Sequence, residues 1–125
     1  MKEYTICEPV QLSTTGGEPV PDPRGGTMAM TTRKLALQCI GHEEFTAGIE
    51  DTIEANELRA SAWSKIRKWS EEAGSKEYLE DEPAKRLAKV ARKVNIPGVG
   101  HLLLAFQKAL ANPVDVEAAP VKETP

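Results

Sequence analysis

The chain has 125 residues, 40% hydrophobic, 28% charged and only 5% aromatic, with a formal net charge of −3. That length suits one domain around a mainly aliphatic core. The acidic balance argues against a dedicated nucleic-acid binder, which carries a basic excess, although it leaves room for a local basic patch.

The opening stretch "MKEYTICEPV" holds no apolar run of signal-peptide length, and no later stretch is long enough to cross a bilayer. A cytoplasmic protein is expected. Cys7 and Cys39 match no zinc or thioredoxin spacing. Two free thiols in a reducing compartment are favoured over a disulfide between them.

Tyr4, Ile6, Val10 and Leu12 share even parity, so one face of an extended segment is apolar. Pro9 makes it an edge strand or two short pieces. "STTGGEPVPDPRGG" excludes helix, and a loose β-hairpin across Gly16-Gly17 and a plain loop fit it equally. Residues 1–30 therefore read as an extended, turn-rich arm.

A helical domain over 31–112 follows. Thr31 or Thr32 can cap a first helix, because a side-chain hydroxyl accepts bonds from the orphan N–H groups. Leu35, Ala36, Cys39 and Ile40 form its apolar side, and Gly41 can end it in a left-handed conformation. The second helix is expected over 54–73. Leu58, Ala62, Ile66, Trp69 and Ala73 make one stripe, with Gly74 as the stop. Its charges run from Glu54 and Glu57 to Lys65, Arg67 and Lys68, the order that suits the helix dipole. Trp63 lies off the stripe. It is the candidate partner-binding residue, since aromatic anchors dominate binding energy.

"YLEDEPAKRLAKVARKV" reads as the start and body of a third helix, with Asp81 as cap and Pro83 in the first turn. Leu87, Val90, Ala91 and Val94 form its buried stripe. Lys85, Arg86, Lys89, Arg92 and Lys93 form the chain's one concentrated basic run, of which Lys85, Lys89 and Arg92 align on the side opposite that stripe. A turn over 95–100 leads to a last helix over 100–111. Leu102, Leu103, Leu104 and Phe106 make that helix apolar almost all round, hence central. Asn112-Pro113 ends it. Residues 113–125 lack periodicity and read as a disordered tail. The fold class is mainly α: about four helices with a short extended N-terminal arm or β-hairpin.

Ile96-Pro97-Gly98-Val99-Gly100 resembles the turn of a helix-hairpin-helix module, whose glycine turn and following helix start hold a DNA phosphate through backbone N–H groups. The match fails at the next residues, where Leu102, Leu103 and Leu104 stand in place of basic groups. Each leucine gains about 1.5–3 kcal/mol by burial and nothing by facing phosphate. A tight corner between packed helices is the preferred reading. The alternative is a phosphate or acidic-partner patch made of Lys85, Arg86, Lys89, Arg92, Lys93, Gly98 and Gly100.

His42-Glu43-Glu44 reads as exposed loop, His101 stands far from it in sequence, and no catalytic, metal or cofactor signature occurs. No catalytic residue is nominated, and an enzyme ranks third. The succession of a turn-rich start, "LALQCIG", "ELRASAWSKIRK", "YLEDE" and "VNIPGVGHLLLAF" is similar to small uncharacterised proteins of bacteriophages and prophages. It covers about residues 12–110. This resemblance implies a non-catalytic accessory protein that works by protein–protein binding, in virion or tail assembly. Nucleic-acid binding through the basic helix is the alternative, and no membrane partner is expected.

Overall fold

The computed structural model describes residues 1–12, 16, 18–21, 23–26, 28–94 and 100–117. In chain order the elements are β1 (Lys2–Thr5), β2 (Val10–Gln11), β3 (Ala29–Met30), α1 (Thr32–Ile40), a 3-10 turn (Glu43–Thr46) and α2 (Thr52–Ile66). Then come β4 (Lys76–Leu79), α3 (Asp81–Ala91), a second 3-10 turn (Gly100–Leu103), α4 (Leu104–Ala111) and β5 (Val114–Asp115). Among the described residues four helices pack with a small antiparallel sheet, so the helical part of the expected fold is present but the class is mixed α/β.

The sheet order is β4-β1-β5. The extended stretch divides around Pro9 into two short pieces, as one of the two expectations has it, and the first of them, β1, is a central strand and not an edge. Lys2 faces Leu79 and Thr5 faces Lys76 in one ladder, while Lys2 faces Asp115 and Glu3 faces Val114 in the other. Even parity puts Tyr4 and Ile6 into the core, as the alternation predicts. The odd residues make a polar outer face, where Tyr78 Oη donates to Glu3 at 2.9 Å and Lys76 Nζ donates to Thr5 Oγ1 at 2.6 Å. Such cross-strand pairs are what hold short strands in register.

Two expectations change here. "KEYL", read as the lead-in to a helix, is a strand, because β1 offers it a ladder and Gly74, at φ +86°, turns the chain back onto that ladder. Gly74 N donates to Ile6 O and Ile6 N to Ser75 O, both at 2.9 Å, extending the pairing. The tail begins as β5 instead of leaving the domain, tied by a Lys2–Asp115 ion pair and by Val116 N donating to Met1 O. Residues 118–125 lie outside the described residues.

In the 1–30 segment, β2 pairs with β3, matching Val10 to Met30 and Gln11 to Ala29. Val20 sits between the two sides, donating to Leu12 O at 2.9 Å and accepting from Met28 N at 2.8 Å. Pro19 and Pro21 each make an isolated bridge, so the chain returns beside Leu12 there before it reaches Ala29–Met30, the strand that pairs with β2.

The helix caps follow local chemistry. Thr31 Oγ1 accepts from Lys34 N at 3.2 Å. The adjacent Thr32 hydroxyl accepts from Cys7 N at 2.9 Å, which ties the first strand's exit to α1. Gly41 ends α1 at φ −77°, right-handed rather than left-handed, through bonds back to Leu37 and Gln38. Asp51 caps α2 with bonds from Ile53 N (2.8 Å) and Glu54 N (3.2 Å), so this helix starts at Thr52.

α2 also ends sooner than the stripe implies. After Ile66, Lys68 N bonds Lys65 O and Trp69 N bonds Ile66 O. In this tighter winding residues three apart eclipse, so Trp69 stays beneath Ile66 and remains buried while Ala73 is exposed. Asp81, expected as a cap, is the first residue of α3, and Glu80 holds the cap position without a side-chain bond.

One core joins the helices to β1, β3 and β4. Tyr4, Ile6, Leu35, Phe45, Ile66, Trp69, Leu79, Leu87, Leu103 and Phe106 all belong to it. The last helix is less central than its leucines suggest. Leu103 is buried and Leu102 half-buried, but Leu104 is 49% exposed. The Tyr4 and Trp69 rings stand 5.1 Å apart at 40°. The Tyr4 hydroxyl is buried without a partner among the described residues, and burial raises its pKa. An unpartnered buried hydroxyl costs its desolvation energy. Tyr4→Phe is therefore expected to leave the denaturant midpoint unchanged or raise it, whereas Tyr4→Ala should lower stability by about 3–5 kcal/mol. Equilibrium urea unfolding of both variants is the measurement.

Candidate functional site

The basic run of α3 divides when its side chains are followed one by one. Arg86 turns toward the protein. Its Nη1 donates to Phe45 O at 3.1 Å and Ala47 O at 3.0 Å, and its Nε donates to Glu82 at 2.9 Å. Lys93 pairs with Glu44 at 3.2 Å, and its ammonium holds that half-buried carboxyl below the usual glutamate range. These two cations fasten α3 to the Glu43–Thr46 turn. Lys85 and Lys89 are exposed, and so is Arg92, whose Nη2 donates to Asn112 Oδ1 at 2.9 Å.

Two shallow depressions adjoin this face, both floored by alanine. One, of about 560 Å³, lies by Lys2, Asp81, Ala84, Lys85, Ala88 and Pro113. The other, of about 250 Å³, lies by Ala91, Arg92, Leu104 and Lys108. Of the expected glycine turn, Gly98 lies outside the described residues and Gly100 opens the second 3-10 turn. α4 returns to α3 through Gln107, whose Nε2 donates to Val94 O at 2.7 Å and Ala91 O at 3.3 Å. This side-chain closure of a helix end satisfies carbonyls that the helix itself leaves orphaned.

His42 is a cap. Its Nδ1 accepts from Glu44 N at 3.1 Å. Among the described residues no group of three or more His, Cys, Asp or Glu is arranged to hold a metal ion. Cys7 and Cys39 are free thiols, and Cys39 is fully buried, which pushes its pKa up to about 12. No helix among the described residues is long and apolar enough to cross a membrane.

The second surface is on α2. Ala55, Ala62 and Ile66 face the core, and Trp63 lies at the surface, 45% exposed. The Arg67 guanidinium sits 5.1 Å from the Trp63 ring centre. Cation–π contact of this kind steadies an exposed indole. Beside the ring is an open depression of about 500 Å³ between α1 and α2, lined by Leu37, Ile40, Gly41, Asn56, Arg59, Ala60, Trp63 and Ser64. Its floor is fixed by Arg59, whose Nε donates to Ile40 O at 2.7 Å and whose Nη2 reaches Thr46 Oγ1 at 3.2 Å.

Ile53, which no sequence motif marks, is 71% exposed on the outward side of the same helix. Ile53, Ala60 and Trp63 stand at intervals of seven and three residues, the spacing of one helix face. The signal was present, but the stronger inward stripe masked it.

Comparison of the chain with protein-family models, with curated proteins and with solved structures gives no match.

The division of the basic run has a direct consequence. Arg86→Ala removes the donor of two backbone carbonyls and is expected to cost about 1–3 kcal/mol. Lys85→Ala should stay within about 0.5 kcal/mol of the parent, as for other exposed positions. Paired chemical-denaturation curves check this.

Proposed function

We propose that this chain is a non-catalytic accessory protein of the bacteriophage or prophage type, acting by protein–protein binding in virion or tail assembly within the host-cell cytoplasm. The observation that carries the binding reading is Trp63: a 45% exposed indole beside an apolar depression, on the same helix face as Ile53. Aromatic side chains next to a pocket are the residues that most often dominate binding energy. Large apolar groups grouped on one exposed face mark interaction surfaces more than singly scattered ones do. The assembly role rests on the resemblance to small phage proteins.

The test is a photo-crosslinking amino acid placed at position 63 in the protein's native cells. A discrete adduct, lost when Ile53→Asp is added on the same helix face, is the expected result. Absence of any adduct at position 63 would remove the reading.

A second reading is kept by the exposed Lys85, Lys89, Arg92 and Lys108 around the alanine-floored depressions. Such a patch supports nucleic-acid binding through phosphate neutralisation, whose affinity falls steeply with salt. The protein-binding reading expects only feeble, sequence-blind DNA binding at physiological salt in a mobility-shift titration. Sub-micromolar binding abolished by Lys89→Glu with Arg92→Glu would promote the second reading over the first.

A further inference from the structure

The outward face of α2 carries more than an exposed tryptophan. Its charges are segregated along the helix, with Glu54 and Glu57 in the first half and Lys65 and Lys68 at and just beyond the end. All four are exposed, and among the described residues none of them makes an ion pair within the chain. The apolar members of the face, Ile53 and Trp63, flank a small residue, Ala60.

We infer that this face is a self-association surface, on which two copies of the chain pair through antiparallel α2 helices. The inference rests on the protein-binding reading of the Trp63 face and names its partner. Parallel pairing would set like charges side by side and align the helix dipoles. Antiparallel pairing sets Glu54 and Glu57 of each copy against Lys65 and Lys68 of the other, and opposes the dipoles.

Ala60, near the middle of the stripe, lets the two axes approach closely. With the two-fold axis near Ala60, each Trp63 meets the other copy near Asn56 and Glu57. That is the edge of the depression lined by Leu37, Asn56 and Ala60. The same patch serves on both copies, so the contact is isologous and closes at two. A 15-residue helix is about 22 Å long and presents less area than a standard stable interface, so the dimer is of modest affinity.

Sedimentation equilibrium from about 1 µM to about 1 mM spans the relevant range of affinity. The expected result is a monomer–dimer equilibrium that weakens with salt. Glu54→Lys with Glu57→Lys should weaken dimerisation at least about tenfold, by about 1.4 kcal/mol. Lys65→Glu with Lys68→Glu should do the same.

An equimolar mixture of the two double variants should dimerise at least as well as the parent, because every facing pair is then opposite in sign. All four positions are exposed, and far-UV circular dichroism checks that the helices persist. A monomer throughout the range overturns the inference, as does a dimer insensitive to both reversals or a mixture that fails to recover. The position-63 crosslink separates this failure from that of the broader reading. An adduct of twice the chain mass supports self-association. A discrete adduct with a different protein, beside a monomeric chain, overturns the dimer and leaves the protein-binding reading standing.

Discussion

The contact between Tyr4 and Trp69, rings 5.1 Å apart, depends on a long-range pairing that organises the rest of the chain. β1 is the middle strand of its sheet, flanked by β4 on one side and β5 on the other. With β1 in place, the segment after α2 has a ladder to join, α3 starts from the end of that strand, and the stretch after α4 has an edge to follow. Without it, "KEYL" has only two strongly apolar side chains and no partner, too little for an isolated strand. Pairing across so many residues carries a loop-closure cost that only buried apolar surface offsets. Tyr4, Ile6, Leu79 and Trp69 supply that surface.

Long polar side chains then close the joints between elements. Arg59 holds the end of α1, Arg86 holds the Glu43–Thr46 turn, Gln107 closes the end of α3, and Arg33 reaches Glu71 and Arg67 O beyond α2. Each places an N–H donor on a backbone carbonyl that no regular ladder satisfies, the condition for burying irregular backbone at low cost. Arginine suits the task because its planar fork offers several donors at fixed spacing. This use of cations decides which ones remain for outside partners. A run that looks like five equivalent charges is in fact Arg86 turned onto two backbone carbonyls, an exposed Lys93 paired with Glu44, two further exposed lysines and an arginine turned toward Asn112.

α2 has two working faces for a related reason. Its inward side is narrow and small-residued, with Ala55 and Ala62 leading to Ile66, which lets the helix sit close to α1. A helix that buries only a narrow stripe leaves most of its circumference in water. There Ile53, Ala60 and Trp63 form a second, outward line whose flanking charges make no ion pair among the described residues. None of these three residues belongs to the core of the domain.

Much of the local structure was legible in the sequence, because its causes are local. The Thr31 cap, the apolar sides of α1 and α3, the proline in the first turn of α3 and the inward parity of Tyr4 and Ile6 all follow from propensity and period. Trp63 stood off the α2 stripe in the sequence, and at the surface in the fold. Other features were decided only by tertiary structure. β4 is a strand because β1 pairs with it, β5 is a strand because β1 has a second edge, and after Ile66 tighter turns carry Trp69 into the core. The inward role of Arg86 was equally invisible, since the carbonyls it meets lie some forty residues away in the chain. Hydrophobic period reports which residues gain by leaving water, but not which distant backbone will meet them, and in this protein that meeting sets both the sheet and the charges left exposed.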